Sequence, residues 1–358
     1  MAHSHSRVVA LGHCIPVATW LFAACGPGAG VSPDRDARFV ETARISLAEM
    51  AGDPITDIES VLERPGGGYI LADRQAARVR LFDAGGSIAA VLGGPGEGPG
   101  ELRDPTAAVE LSDGRVIVVQ RADPRLTVFR PDAPPTFRAL PGQYGFLALP
   151  AGDGILAGVA TRDTRFALLN GDGEATASFA PLDPAIGRTP FWIWFARDNA
   201  AVMGDVIAVN TSFFPAVRLF DLQGDSIGAF GEPPGNWLPP TSPSVADLDA
   251  PGNRQRIEGW SRSFTVVRRI AAIGDSLLVV EYGRHAPSAA DPYRVVPTTA
   301  DLYRLDGTKI ASGIRLPGPV LGGGRRLLVL VTEPPGPWTI AALEWRAPDD
   351  DRDTRVRR

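Results

Sequence analysis

Cysteine, histidine and lysine are nearly missing from the body of this chain. Both cysteines, Cys14 and Cys25, fall within the first 25 of 358 residues, and Lys309 is the single lysine among 36 basic residues. Without body cysteines no intramolecular disulfide staples the fold. A chain of this length, 44% hydrophobic, builds a core large enough to do without one. Three of the four histidines (His3, His5 and His13) also precede the body, which leaves only His285. One histidine excludes a multi-histidine metal centre and leaves little for a Ser-His-Asp arrangement. No G-x-S-x-G elbow is present. There is no block of basic residues and the net charge is −5, which weakens a nucleic-acid reading, and no nucleic-acid partner is expected. Beyond residue 25 no apolar run reaches membrane-spanning length. Helical periods between strands, which an α/β fold needs, are not found.

Glycine and proline are plentiful instead, at 40 and 33 residues, and they stand between apolar runs where turns are needed. Six Gly-led runs recur, starting at Gly68, Gly114, Gly154, Gly204, Gly274 and Gly324, so that successive starts are 46, 40, 50, 70 and 50 residues apart. In the first copy the spacing predicts strands at 58–62, 69–72, 78–82 and 87–92. Val79 and Leu81 there alternate with Arg78 and Arg80 ahead of the turn Asp83-Ala-Gly-Gly. Each copy is an antiparallel meander of about four strands, too small to bury its own faces. The expected fold is all-β: a six-bladed β-propeller of four-stranded antiparallel blades over residues 38–346. The strand-like segment 38–47 is placed to add the outer strand of blade six and close the ring.

Residues 91–119, VLGGPGEGPGELRDPTAAVELSDGRVIVV, resemble the repeat signature of NHL-type propellers: a Gly-rich loop, a proline, an apolar strand and an Asp-Gly turn. Gly93, Gly96, Gly98, Gly100, Glu101, Leu102, Pro105, Asp113 and Gly114 fit it. The resemblance implies kinship with bacterial secreted and lipoprotein propellers. It is strongest in blades one and two, shortened in blade four (FGEPPG, 230–235), and rests on periodicity alone in blades five and six. The loop GGPGEGPGEL lacks the G-K-[ST] ending of a phosphate loop and reads as an inter-blade turn, with Glu97 and Glu101 as rim carboxylates at most.

Arg7, the apolar stretch 8–25 and the FAAC ending at Cys25 resemble a bacterial lipoprotein signal. Residues 1–25 are therefore expected to be a signal with Cys25 as the lipidation site, 26–37 a flexible tether and 347–358 a polar tail. The implied address is the cell envelope, lipid-anchored after export; plain secretion into the periplasm or medium is the alternative.

The expected role is non-catalytic: a rigid frame binding a protein, peptide or glycan at one face. Aromatic residues crowd the segments around blade four, and they carry this reading. The ligand-rim candidates are Trp192, Trp194, Arg197, Asp198, Phe213, Phe214, Trp237, Trp260, Arg262, Tyr282 and His285, the last placed in a loop between two strands of blade five. No cofactor is expected. The alternative is an enzyme at the central opening, a Ca²⁺-dependent lactonase-like hydrolase or a lyase. For it Glu59, Asp198, Asn199, Asn210 and Asp247 are oxygen donors without diagnostic spacing.

Overall fold

The computed structural model describes residues 38–121, 125–140, 145–159, 161, 163–181, 198–241, 253–286, 295–332 and 336–347. Cys25, the tether and nearly all of the tail lie outside them. Within them the chain forms six four-stranded antiparallel sheets, the expected all-β propeller. Blade one is β2 (Ile58–Glu63), β3 (Tyr69–Asp73), β4 (Arg78–Phe82) and β5 (Ile88–Gly93). Blade two is β6 (Pro105–Glu110), β7 (Val116–Gln120), β8 (Arg125–Arg130) and β9 (Ala133–Ala139). Blade three is β10 (Gly145–Ala151), β11 (Gly154–Val159), β12 (Phe166–Leu169) and β13 (Ala175–Phe179). Blade four is β14 (Asp198–Met203), β15 (Val206–Thr211), β16 (Val217–Asp221) and β17 (Ser226–Phe230). Blade five is β18 (Thr265–Ile273), β19 (Leu277–His285), β20 (Val295–Arg304) and β21 (Lys309–Ile314). Blade six takes β22 (Val320–Gly322), β23 (Leu327–Thr332) and β24 (Thr339–Arg346) from one end of the chain and β1 (Arg38–Ser46) from the other. Arg38 pairs with Arg346 and Ser46 with Thr339, so strand hydrogen bonds rather than a covalent link close the ring.

The second strands of blades one to three are buried throughout, as YILAD, VIVVQ and GILAGV. Packed between blades on both faces, they read as continuous apolar runs. Side chains of adjacent blades merge into clusters: Val61, Leu71 and Phe82 with Leu328 and Ile340 across the closing seam, and Ala272, Leu278 and Val280 with Val217 and Leu219 between blades four and five. Each buried Val, Leu or Phe side chain contributes about 1.5–3 kcal/mol, so these seams hold the ring.

The outer strands β9 and β13 escape the apolar pattern. Their sequences, APPTFRA and ATASF, are mostly exposed, and two prolines are tolerated because β9 is an edge strand. A helix, α1 (Asn253–Ser261), lies in the insert before blade five, where no helical period is legible because its polar residues form no apolar face. Blade five also begins and ends its strands beyond the expected limits, and β19 runs on through Gly283 to His285.

The repeated Asp-Gly and Asn-Gly turns do two jobs. Asp83, Asn170 and Asp221 each accept hydrogen bonds from the backbone N–H groups two and four residues on, which shapes the hairpin between third and fourth strands. The glycine ending the turn then packs on the preceding blade. At Gly86, with φ +88°, a Cβ would stand 2.3 Å from the Ser46 carbonyl oxygen, and at Gly307, with φ +84°, 2.8 Å from Phe230 Cβ. The recurring glycine thus combines a left-handed turn with a blade contact that no side chain fits.

Candidate functional site

The six innermost strands β2, β6, β10, β14, β18 and β22 surround the axis, and each turns one unpaired backbone edge toward it. They enclose a cavity of about 1100 Å³. We call "upper" the end of the axis at which these strands begin. The hairpins joining first to second strands at the lower end are short, such as 152–153 and 204–205. The upper end receives every connection from one blade to the next, including 94–104, 180–197 and 231–264.

Along the cavity wall the charges are not evenly spread. Glu59, Arg121, Arg165, Asn199, Arg268 and Arg269 line its upper part; Glu63, Asp275 and Arg325 line the lower. Arg121 ends blade two's second strand and bonds Glu59 of blade one at 3.0 Å. Arg74 also approaches Glu59, at 3.5 Å, and joins Asp57 and Asp104 on the same side of the mouth. Burial pushes the Asp57 carboxyl up from its ordinary value, with Arg74 opposing. Arg165 is buried, its guanidinium 5.7 Å from the Phe146 ring centre. Asn199 donates to the Val267 carbonyl at 3.3 Å.

Blade five supplies the most constrained charges. A bulge between Val267 and Arg269 brings both Arg268 and Arg269 to the wall. Arg268 donates through Nη1 and Nη2 to the Val320 carbonyl at 3.0 Å, and Arg269 donates to Leu321 at 2.7 Å. Glu281, 1% exposed, accepts from Val320 N–H at 3.0 Å. Its second oxygen stands 3.0 Å from Arg268 Nη1 without hydrogen-bond alignment, so the contact there is ionic only. Burial pushes the Glu281 carboxyl up, and Arg268 pulls it back only in part. Deeper in the blade, buried Asp301 accepts from Ser312 at 2.7 Å and from Gly313 N–H at 3.0 Å. The hydroxyls of Tyr282 and Tyr303 and the Lys309 ammonium gather at its other oxygen. Burial pushes the Tyr282 hydroxyl far up, so it stays a donor.

The aromatic residues expected at the rim divide. Phe213, Tyr282 and His285 are buried. Phe264 sits 5.6 Å from Phe213, 4.8 Å from Trp260 and 5.8 Å from His285, ring centre to ring centre. This stack joins the insert to blades four and five. His285 lies at the end of β19 opposite Val295 and not in a loop, because the strand extends past the expected turn. Trp237 meets Tyr282 edge-on at 6.0 Å. Phe214, Trp237 and Trp260 are half-buried and Arg262 is exposed, 3.7 Å from Glu258. Trp192, Trp194 and Arg197 lie outside the described residues, as does Asp247; Asp198 opens β14, its side chain likewise outside the description.

The described oxygen donors, Glu59, Asn199 and Asn210, are each engaged separately. Glu59 faces arginines, and Asn210 holds the 211–216 turn through Phe214 and Ala216. Among the described residues no three His, Cys, Asp or Glu side chains gather as a cation site. Glu101 folds back on the Gly98 N–H at 2.7 Å and Glu97 pairs with Arg103, so the Gly-rich loop knits itself into a turn. Sequence reasoning missed Arg165, Arg268, Arg269 and Glu281. Arg268, Arg269 and Glu281 reach from blade five to blade six, and nothing in the local pattern marks any of the four.

No family model matches the chain, and no curated protein matches it. Similarity appears at the level of shape. A member of the DUF4221 family from Bacteroides vulgatus aligns with a TM-score of 0.59 at 10% identity, over 87% of this chain and 99% of that one. A candidate exported protein from Bacteroides fragilis aligns with a TM-score of 0.56 at 10% identity, over 89% and 98%. Virginiamycin B lyase from Staphylococcus aureus aligns at 0.47, with 10% identity over 86% and 99%, a likeness too loose to bear on chemistry. Topology and shape agree on one conclusion: the chain is a six-bladed β-propeller of the fold found in these bacterial proteins.

Proposed function

We propose that the chain is an extracytoplasmic binding propeller whose ligand, a peptide, a glycan or part of a protein, enters the upper end of the axial cavity. One observation carries this reading: every blade-to-blade connection, the long ones included, leaves an outer strand at the upper end of the ring and re-enters at the start of an innermost strand, beside the 1100 Å³ cavity. Loops on a rigid frame beside a concave site are where recognition concentrates. Phe214, Trp237, Trp260 and Arg262 are the described candidates for contact outside the mouth, with Trp192, Trp194 and Arg197 in the connection before blade four and Asp198 at the start of β14. The NHL-like loop and the FAAC motif support an exported propeller anchored by lipid on Cys25. Replacing Cys25 with Ala is expected to move the protein from the membrane to the soluble fraction; unchanged fractionation removes the anchor.

A catalytic reading of the same opening, as a lyase or hydrolase, draws on Glu281, a buried carboxyl raised beside Arg268, which is an environment suited to an acid that gives up a proton. Its Ca²⁺-dependent form needs donors beyond the described residues. Equilibrium dialysis of the full chain against cell-envelope peptides and glycans, read by mass spectrometry, separates the two. Binding predicts a retained species of unchanged mass. Recovery of a chemically altered species over many turnovers overturns it in favour of catalysis, and no retention overturns it outright.

A further inference from the structure

We propose that a collar of side chains at the upper end of the axial cavity, set there by a β-bulge repeated from blade to blade, reads a neutral carbohydrate; this rests on the binding reading above and names its ligand class. Strand register slips by one residue near the start of five of the six innermost strands. The skipped residues are Glu59, Thr106, Phe146, Arg268 and Leu321. A bulge leaves one residue without a partner opposite and re-aims its side chain. All of these but Leu321 line the cavity, and blade four brings Asn199 to the same ring without a bulge. Cross-blade contacts place them at one height. The Thr106 hydroxyl stands 3.4 Å from the Gly145 carbonyl, Asn199 donates to Val267 at 3.3 Å, and Arg268 donates to Val320 at 3.0 Å. Each accepting residue is the one just before the bulge of the next blade.

The collar offers polar atoms, while its charges are already opposed. Glu59 accepts from Arg121 at 3.0 Å, and Arg268 faces Glu281 at 3.0 Å. An ionic ligand therefore gains no fresh counter-charge from either. Uncharged groups lie beside them. With its amide nitrogen on Val267, Asn199 keeps Oδ1 as an acceptor. Ser60, next to the bulge of blade one, lines the cavity with a hydroxyl that no group among the described residues engages. Phe146, half-buried over Gly158, adds an aromatic ring. The open edges of the innermost strands carry both N–H and C=O groups down the wall. A hydroxyl both donates and accepts, so a polyhydroxyl ligand pairs with either kind, and the apolar face of a sugar ring packs on an aromatic one. The cavity, about 1100 Å³, is as large as sites for drug-sized ligands, roughly 300–1000 Å³, so a short oligosaccharide fits.

For the test, the full chain is passed over an array of neutral oligosaccharides, each beside the same oligosaccharide carrying a terminal uronic acid. At least one neutral chain is expected to be retained, and equally at low and high salt, because binding exchanges no charge. Ser60→Ala is expected to weaken that retention about threefold and Asn199→Ala about tenfold, while Arg115→Gln, on an outer turn away from the cavity, changes nothing. Because Asn199 also joins blades four and five, its variant is read beside a melting curve. Ser60→Ala breaks no side-chain contact among the described residues and stands as the second test. Retention confined to the acids, retention lost at high salt, or retention indifferent to both cavity variants overturns the proposal. If no neutral chain is retained while dialysis retains a peptide or a charged glycan, the carbohydrate proposal fails and the binding reading survives; if dialysis retains nothing, both fail.

Discussion

Blades one and five bury charge in opposite ways. In blade one, Arg80 is fully buried and forks onto both Asp53 oxygens at 3.0 Å, with Asp73 3.5 Å away. Asp73 in turn accepts from Thr56 and from the Asp57 N–H. These contacts tie the link from the closing strand β1 to strands β3 and β4 of blade one. In blade five Arg268 stands at the cavity wall with Glu281 buried behind it, and both reach into blade six. Blade one has the repeat glycines and short connections; blade five has the long strands and follows the longest insert. The same fold thus uses buried ions as a clasp in one blade and to shape a mouth in another.

Breaking the clasp has the largest expected effect. Arg80→Ala takes the buried guanidinium from Asp53 and Asp73, and loss of one partner of a buried ion pair costs about 3–5 kcal/mol, here toward the lower end because Asp53 keeps Arg78 and Asp73 keeps its backbone donors. The urea midpoint falls accordingly. A variant of normal stability would show that the clasp holds nothing.

Next come the equivalent turn glycines. Gly86→Ala and Gly307→Ala each set a Cβ in a left-handed turn against the preceding blade, at 2.3 Å from backbone oxygen and 2.8 Å from a side-chain carbon respectively. The expected loss is about 1–3 kcal/mol, greater for Gly86 because a backbone carbonyl cannot swing away. Gly67→Ala, also left-handed at φ +91° but in open space, is the control and should cost less than either. If all three lose the same amount in chemical denaturation, the blade contact adds nothing to the turn.

The smallest and most selective change is Glu281→Gln. Burial raises the carboxyl above its ordinary value of 4.5, so above that value the native chain holds a proton that the unfolded chain releases. Stability therefore falls as pH rises from 4.5 to the raised value, by at most about 1.4 kcal/mol per pH unit. The glutamine variant is expected to flatten that stretch of the stability–pH curve and to leave more alkaline pH nearly parallel to wild type. An unchanged slope would mean that Glu281 does not titrate there.

Much of the architecture is legible in residue order. Turn glycines, apolar runs and their spacing locate six meanders, and the segment 38–47 lies where the ring needs its last strand. Two outer strands are harder to read, since exposed edges such as APPTFRA select for polarity and proline as a loop does. The site is less legible still. Aromatic residues are conspicuous in sequence, yet Phe213, Tyr282 and His285 are buried where the insert meets blades four and five.

By itself the sequence determined the repeat, because strand period and turn chemistry act between neighbours along the chain. Only the tertiary structure decided which charges share the axis. Arg165, Arg268 and Glu59 come from three blades, far apart in the chain. Closing the ring sets them around one cavity, and strand pairing and inter-blade packing, which act through space, fix their height along it.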